Sequence, residues 1–379
     1  MAADDSLAVT PFGSCPLPKS RYDHILLGHG SGGQLTADLI QRLFLPGFAN
    51  DVLGALEDQA TLRDCRLQIA DCRLQIGSSN LQSAICNLQS GWVAFTTDSF
   101  VVRPLFFPGG DIGRLAVHGT VNDLAVGGAR PMYLSAAFIL EEGLPLVDLQ
   151  RIVASMRAAC REAGVALVTG DTKVVDRGKG DGVFITTSGI GLVPEGRSLS
   201  IHAARPGDRI LVSGTLGDHG IAIMSVREGL EFETVLESDT ASLAGLTEAI
   251  LEACPSTRCM RDPTRGGLSS ALNELAAASR VGVELDEAAV PLRPEVRGAC
   301  EMLGLDPLYV ANEGKLIAVV PPEDAERVLA AMRAHPLGRN AALIGEVVAG
   351  HPGMVILRSR VGGERVVTLL AGEQLPRIC

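Results

Sequence analysis

Aromatic side chains are scarce in this sequence, at 4% of the residues with a single tryptophan, Trp92. Proteins that hold single-stranded nucleic acid stack its bases on such side chains. Positive charge is also in deficit, because 33 lysines and arginines stand against 44 aspartates and glutamates, a formal net charge of −11. Both features argue against nucleic acid as a partner. An acidic protein can still bind ATP where magnesium bridges its carboxylates to the phosphates.

No apolar run reaches the length of a membrane span, and the first five residues lack the charged-then-apolar pattern of a secretory signal. We therefore expect no membrane association and a cytoplasmic location. The nine cysteines are an odd number, lie scattered through the chain and form no CxxC pair. This distribution argues against a disulfide framework and against a structural zinc site.

Two domains of mixed secondary structure are expected, because 379 residues exceed the size at which a single core stops growing. Strand and helix patterns alternate in both halves, which is typical of a mixed α/β (α+β) class. Helices are predicted near 35–45, 111–126, 145–163 and 267–279, and strands near 92–98, 132–140, 183–192 and 314–320. Residues 165–169 have the pattern of a buried strand. The predicted organisation is a leader (1–20), an N-terminal domain (21–203), a C-terminal domain (204–364) and a flexible tail (365–379) that carries Cys379.

A short internal repeat interrupts the first domain. Residues 65–69 recur seven positions later at 72–76, and residues 80–83 recur at 87–90. The run is far too short for a stable coiled coil. We interpret residues 61–90 as a low-complexity insertion in a hairpin turn, between the strands that hold Asp58 and Asp98, and without a part in the chemistry.

Four aspartates stand at strand ends or loop edges: Asp58, Asp98, Asp123 and Asp171. Magnesium takes oxygen ligands in a tight octahedral shell that it shares with phosphate oxygens. Taken singly, each of these residues fits a turn residue or a helix cap better than a metal ligand, but the recurrence favours a magnesium site. Lys173 lies two residues after Asp171 and would point the same way on an extended segment, either to a phosphate or simply to solvent.

Two glycine-rich turns, at 28–33 and 262–267, precede predicted helices and could bind phosphate through backbone N–H groups. Neither has the GxxxxGK[ST] pattern of a Walker loop. Glu313 stands just before a predicted strand, where a general base or a plain turn residue would fit. Cys379, the final residue, is either a chance cysteine on a loose end or a nucleophile on a mobile arm.

Taken together, several segments resemble the HypE family of hydrogenase maturation factors. They are residues 28–33, 95–99, 106–110, 168–175, 211–220, 311–316 and the ending 376–379. That family belongs to a superfamily with aminoimidazole ribonucleotide synthetase, selenophosphate synthetase and thiamine-phosphate kinase. The resemblance runs in order from about residue 21 to the end, and the 61–90 insertion departs from it.

The resemblance implies a two-domain aminoimidazole ribonucleotide synthetase-like fold and an activity. ATP, with Mg²⁺, would dehydrate a carbamoyl group on Cys379 to a thiocyanate, the source of the cyanide ligands of nickel–iron hydrogenase. The implied partners are the carbamoyltransferase HypF and the HypC–HypD complex. A homodimer is also implied, in which the N-terminal domains pair and ATP binds near their interface.

The same resemblance assigns roles to individual residues. Magnesium and the phosphates would be held by Asp58, Asp98, Asp123 and Asp171. The nucleotide would be contacted by Gly30, Ser31, Gly32, Gly33, Asn122, Asp262 and Arg265. Glu313 would take the amide protons, Lys173 would contact the carbamoyl oxygen or the transferred phosphoryl group, and Cys379 would carry the substrate.

Two other functions remain open from the residues alone. One is an ATP-dependent kinase or synthetase that acts on a free small molecule, which would need no thiol on a tail. The other is a scaffold that binds nucleotide and partners without turnover. The acidic set together with Lys173 and Glu313 favours an enzyme over the scaffold.

Overall fold

The computed structural model describes residues 24–48, 50–71, 87–229, 236–371, 375 and 377–379. Two main β-sheets organise these residues, one drawn from residues 60–194 and the other from residues 209–367. The predicted mixed α/β class is confirmed. The predicted leader and the turn of the predicted insertion lie outside the described residues. No helix among the described residues is long and apolar enough to span a bilayer.

The first sheet and its helices come from the N-terminal half. The strands of the sheet are β1 (Ala60–Asp71), β2 (Asn87–Phe100), β5 (Arg130–Glu141), β6 (Ala166–Val175) and β7 (Val183–Pro194). Two short strands, β3 (Phe106–Phe107) and β4 (Gly110–Asp111), pair with each other. The helices are α1 (Gln34–Leu39), α2 (Leu45–Phe48), α3 (Ile112–Val126) and α4 (Leu146–Ala163), with a π-helical turn joining the first two.

The second sheet and its helices come from the C-terminal half. The strands are β8 (Arg209–Val212), β9 (Cys259–Arg261), β10 (Gly282–Asp286), β11 (Ile317–Val320), β12 (Ala342–Val348), β13 (Val355–Arg358) and β14 (Glu364–Val367). The helices are α5 (Asp218–Glu228), α6 (Ala244–Ala253), α7 (Gly267–Ser279), α8 (Pro294–Leu303) and α9 (Ala325–Ala334). The sequence patterns did not predict β9, β10 and α8.

The N-terminal sheet has the strand order β1-β2-β7-β5-β6, in which only β5 and β6 run parallel. Helix α3 covers one face, where Leu115 and Ile112 pack with Phe100 and Ile185. The helix begins at Asp111, whose Oδ1 accepts hydrogen bonds from the backbone N–H groups of residues 113 and 114. This start fixes the position of Asp123, which α3 carries toward the C-terminal half.

The opposite face of this sheet carries exposed apolar side chains. Phe95, Ile190 and Tyr133 lie side by side on β2, β7 and β5. The prediction of a buried strand at 165–169 is wrong, because β6 is an edge strand and its side chains are mostly exposed. Helix α4 packs mainly on α3 and does not cover β6.

The long hairpin of β1 and β2 corresponds to the predicted insertion. The two strands pair from Ala60 opposite Phe95 to Asp71 opposite Asn87, with a register shift between Leu62 and Arg66. The repeat therefore extends both stems of the hairpin, and the turn itself lies outside the described residues.

The C-terminal sheet is covered on both faces. Its strand order is β14-β13-β10-β12-β8-β11-β9. Helix α7 packs on one face, with Leu272 against Ile210 and Ile317. Helices α6 and α9 pack on the other face, where Leu211 and Ala318 lie. Because β11 is fully buried between these layers, the segment that leads into it, with Glu313, is held rigidly.

The cap of α3 gives a first test. We expect Asp111→Ala to lower the free energy of unfolding by about 1 kcal/mol, since two backbone N–H groups lose their acceptor. Asp148→Ala is the matched control, because Asp148 lies in the first turn of α4 without capping it. Urea denaturation of both variants measures the difference, and equal losses would contradict the assignment.

Candidate active site at the junction of the two halves

Three of the predicted acidic residues, with Asp262, converge where the two halves meet. Asp58 precedes β1, Asp98 lies on β2 and Asp123 lies on α3. The Thr96 hydroxyl lies 3.1 Å from the carbonyl oxygen of Asp58 and 2.9 Å from Oδ2 of Asp123. One polar side chain therefore holds two of the acidic residues in place.

Burial makes these carboxyl groups hard to ionise. It raises the pKa of Asp58 to about 8 and that of Asp262 to about 6, while a nearby arginine, Arg261, lowers both. The pKa of Asp98 is also raised by burial. The pKa of Asp123 lies well above its usual value, because repulsion from the other three carboxylates adds to burial. The cluster is therefore short of positive charge.

Asp171 and Lys173 do not join this cluster within one chain. Their side chains form an exposed ion pair with 2.7 Å between Nζ and Oδ2, and this contact lowers the pKa of Asp171. In the sheet register they lie on the uncovered face, beside residues 137 and 139 of β5. β6 lies three strand spacings of about 4.8 Å from β2, roughly 14 Å away. Across the described residues, no group of three or more metal-binding side chains is already assembled.

The two predicted glycine-rich turns contact each other. Arg265 donates from Nη1 to the carbonyl oxygen of Gly30 at 3.0 Å, and Ser270 donates to that of Gly32 at 2.9 Å. Gly32 has a positive φ of 71°, and a Cβ there would lie 2.8 Å from Cβ of Arg265. Gly33 has no room for a Cβ either, because it would lie 2.4 Å from the carbonyl oxygen of Leu370. A close approach of the two turns therefore requires glycine.

Asn122 has a different environment from the one predicted. Its side chain is fully buried, and Nδ2 donates to the carbonyl oxygens of Ala241 and Glu313 at 3.0 and 3.1 Å. Its Oδ1 accepts from the N–H of Leu243 at 2.8 Å. The side chain thus joins α3 to the C-terminal half.

The described end of the tail is docked. Ile378 is buried and forms a β-bridge with Val102. The N–H of Val101 donates to a main-chain carboxylate oxygen of Cys379 at 3.0 Å, and the N–H of Arg103 donates to the carbonyl oxygen of Arg377 at 3.2 Å. The tail was predicted to be flexible, but these last three residues pair with the main chain.

Docking places the thiol of Cys379 against Glu313 and Arg265. Burial raises the pKa of this thiol well above its usual value, Arg265 opposes the shift, and the hydrogen bond with Glu313 adds to it. Glu313 is 2% exposed, and burial together with the nearby Asp239 raises its pKa well above the usual range. Oε1 of Glu313 has no hydrogen-bond partner among the described residues. A proton acceptor thus lies beside the thiol.

Two cavities meet at Arg265. One, of about 190 Å³, is lined by Gly30, Ser31 and Cys379. The other, of about 150 Å³, is lined by three of the acidic residues, Asp58, Asp123 and Asp262. Arg265 lines both cavities. The thiol pocket and the acidic pocket are therefore neighbours.

Several residues of the site were not predicted from the sequence. Arg261 lies 2.9 Å from Oδ1 of Asp58, His219 contacts the tail, and Asp239 and Lys315 lie behind Glu313. His219 and Lys315 stand inside segments that carry the family resemblance, so that signal was present. Arg261 and Asp239 stand outside those segments.

The acidic cluster makes stability depend on pH. Burial raises the pKa of Asp58 from its ordinary value of 3.8 to about 8, so the folded state holds a proton that the unfolded state releases. The stability of the wild type relative to Asp58→Asn should therefore fall as pH rises from 5 to 8. Denaturant titrations in EDTA measure this difference. Asp171→Asn is the control and should show a flat difference, since the lowered pKa of Asp171 puts its titration below this range.

Comparisons with known proteins agree with this architecture. The family described as AIR synthase related protein matches through its N-terminal domain at residues 82–193 and its C-terminal domain at residues 205–358. Carbamoyl dehydratase HypE of Azotobacter vinelandii is 58% identical over 359 residues, which is 95% of this chain and 98% of that protein. HypE of Escherichia coli K12 is 48% identical over 94% of this chain and all of that protein.

Solved structures agree as well. A HypE in complex with ATP is 49% identical, with a TM-score of 0.73, and the match covers 94% of this chain and all of that one. A chain of a HypE–HypF complex is 44% identical, with a TM-score of 0.76 over 88% of this chain and 99% of that one. Identity at this level over nearly the whole length shows that the chain belongs to the carbamoyl dehydratase HypE family, with the aminoimidazole ribonucleotide synthetase-like fold.

Proposed function

We propose that the protein uses ATP to dehydrate a carbamoyl group carried on the thiol of Cys379, in the assembly of nickel–iron hydrogenase. The observation that carries this proposal is the docked tail, which places the thiol against Glu313 and next to the acidic pocket. A free small-molecule substrate would not need a cysteine at this position. The names of the curated relatives and the solved complex with ATP support the same activity.

The reaction must remove an oxygen that is a poor leaving group. Transfer of the γ-phosphoryl group of ATP to the carbamoyl oxygen would convert that oxygen into part of a phosphate. Loss of both N–H protons then completes the C≡N bond as phosphate departs, so that the thiocarboxamide and ATP give thiocyanate, ADP and phosphate. Glu313 is suited to accept one of these protons, because it lies beside the sulfur with Oε1 unpaired, and the departing phosphate would take the other.

The acidic pocket fits the magnesium–triphosphate end of the nucleotide. Asp58, Asp98 and Asp123 would hold Mg²⁺, since burial raises the pKa of all three carboxyl groups and a bound cation would favour their ionised forms. A bound Mg²⁺ would neutralise charge on the phosphates during phosphoryl transfer. The backbone of residues 30–33, with Asp262 and Arg265, would position the phosphates. Arg265 lines both pockets and would sit where the phosphoryl group and the carbamoyl oxygen meet.

A homodimer would bring Asp171 and Lys173, the two predicted residues outside the acidic cluster, to the active site of a partner chain. The uncovered face of the N-terminal sheet carries Phe95, Tyr133 and Ile190 together with Asp171 and Lys173. Pairing of this face with a second copy would bury the apolar row and bring Asp171 and Lys173 close to the nucleotide of the partner. Lys173 would then contact the transferred phosphoryl group.

The thiol has to receive its carbamoyl group and later pass on the cyanide. A solved complex joins HypE to HypF, which supports HypF as the carbamoyl donor. HypC–HypD is the proposed acceptor of the cyanide. Because Cys379 lies in the cavity beside Arg265, the tail has to leave its dock for each of these transfers.

Replacement of the general base tests the reaction. We expect Glu313→Gln to become carbamoylated by HypF and carbamoyl phosphate but to dehydrate this group at least about 100-fold more slowly, because the acceptor of one amide proton is lost. Intact mass spectrometry follows the two adducts. Cys379→Ala should bind ATP and form neither adduct. Normal dehydration by Glu313→Gln would remove its assigned role.

Disruption of the uncovered face tests the dimer. We expect Ile190→Glu to give a monomer at micromolar concentration and to lose dehydration activity, since Asp171 and Lys173 no longer reach a second chain. Val366→Glu is the matched control, an exposed valine on β14 in the other sheet. Analytical ultracentrifugation measures the mass of each variant. A monomeric wild type with full activity would contradict this arrangement.

A further inference from the structure

A buried histidine holds the residue that precedes the thiol. His219, on α5, is fully buried, and its Nε2 lies 2.7 Å from the carbonyl oxygen of Ile378. Because a carbonyl oxygen can only accept, Nε2 carries the proton. Nδ1 lies 2.8 Å from Oγ of Ser238, and the ring stands edge-on to Phe107. Contacts on three sides fix the orientation of the imidazole, and the imidazole fixes the tail next to Cys379.

The residue after Ser238 holds the proposed base. Oδ1 of Asp239 accepts a hydrogen bond from the backbone N–H of Glu313 at 3.0 Å. Oδ2 of Asp239 lies 3.1 Å from Nζ of Lys315, which also lies 3.8 Å from Oδ2 of Asp218. A Cβ at Gly314 would lie 1.8 Å from the carbonyl oxygen of Asp239, so the two segments are in direct contact. The ion pair with Lys315 therefore holds Asp239 in place, and Asp239 in turn fixes the position of the Glu313 backbone.

Two adjacent residues thus act on the two groups that must meet in the proposed reaction, the thiol of Cys379 and the carboxyl group of Glu313. Ser238 acts on the tail through His219, and Asp239 acts on the base segment directly. The same short stretch is tied to α3, because the carbonyl oxygen of Ala241 accepts from Asn122, which also donates to the carbonyl oxygen of Glu313. Any shift of this stretch would therefore change the distance between the thiol and the carboxyl group.

We propose that Ser238 and Asp239, with His219, form a positioning unit that sets the thiol of Cys379 against Glu313. This inference rests on the proposed function for its catalytic consequence, but the docking of the tail can be measured without turnover. None of the three residues contacts a reacting atom in the proposed reaction. They are positioning residues, and a misplacement of about 1 Å at such a site can slow a reaction by 100-fold.

Thiol labelling tests the docking contact. We expect His219→Phe to increase the rate of Cys379 alkylation by iodoacetamide roughly tenfold, because a buried hydrogen bond to the tail is lost. His219→Gln, which keeps an N–H donor, should restore most of the protection. Mass spectrometry of the C-terminal peptide measures the rate. The buried cysteines Cys160, Cys254, Cys259 and Cys300 serve as an internal control and should stay protected in both variants.

Two further variants separate docking from general damage. His335→Phe replaces a histidine that accepts from the N–H of Leu337, away from the tail, and should leave Cys379 labelling at the wild-type rate. Ser238→Ala removes the partner of Nδ1 and should raise labelling by a smaller factor than His219→Phe. If His219→Phe exposes all the cysteines, Ser238→Ala decides the question. Wild-type labelling of Cys379 in Ser238→Ala and in a folded His219→Phe would overturn the proposal.

The catalytic consequence is tested with carbamoylated protein in a single turnover. Asp239→Ala should slow dehydration roughly 100-fold with ATP affinity unchanged within about twofold, since the Glu313 N–H loses its acceptor. Asp239→Asn keeps an acceptor for the Glu313 N–H and should lose less. Asp239→Ala and Asp239→Asn both remove the charge that adds to burial in raising the pKa of Glu313, so the difference between them reports placement. Unchanged dehydration by Asp239→Ala would overturn the positioning role and leave the proposed function intact. No dehydration by the wild type would overturn the proposed function, while the labelling result would still decide whether His219 holds the tail.

Discussion

The pairing of the last three residues with residues 101–103 is the contact on which the rest of the site depends. It buries Ile378 and places Cys379 beside Glu313 and Arg265. A thiol buried this way is poorly ionised, so the docked state favours chemistry on a group already attached to the sulfur over attack by the sulfur itself. We therefore expect the thiol to be carbamoylated while the tail is undocked, and the carbamoyl group to react while the tail is docked.

Charge distribution explains the rest of the arrangement. The buried carboxyl groups of Asp58, Asp98 and Asp123 resist ionisation until a cation arrives, and Arg265 stands between them and the thiol. Burial raises the pKa of Glu313 in the same way, so its carboxylate binds a proton tightly once it is ionised. The fold thus separates a pocket suited to phosphate and metal from a pocket suited to a small neutral group, with one guanidinium shared between them.

Local patterns predicted the parts of the site that depend on local structure. The helix at 111–126 and the glycine-rich turns could be predicted, because periodicity and turn residues act over a few positions. Asp123 was predicted at a strand end or loop edge but lies on α3, and Asp262 was assigned a role only through the family resemblance. Asp171 and Asn122 could not be placed, since a strand register and an interdomain contact decide which way each side chain points. The docked tail and the contact of Asp239 with Glu313 were not predicted either, because both join residues that are far apart in the sequence. The exposure of β6 was not predicted, because an apolar edge strand has the same sequence pattern as a buried strand.

The most direct test of the account follows the carbamoyl oxygen. Protein carbamoylated on Cys379 with ¹⁸O in the carbamoyl group is mixed with Mg²⁺ and ATP, and inorganic phosphate is analysed by mass spectrometry after one turnover. Activation by phosphoryl transfer predicts one ¹⁸O atom in each phosphate released as thiocyanate forms. Thiocyanate formation with the label in water, and with unlabelled phosphate, would contradict the central claim that the docked thiol presents its carbamoyl oxygen to the triphosphate.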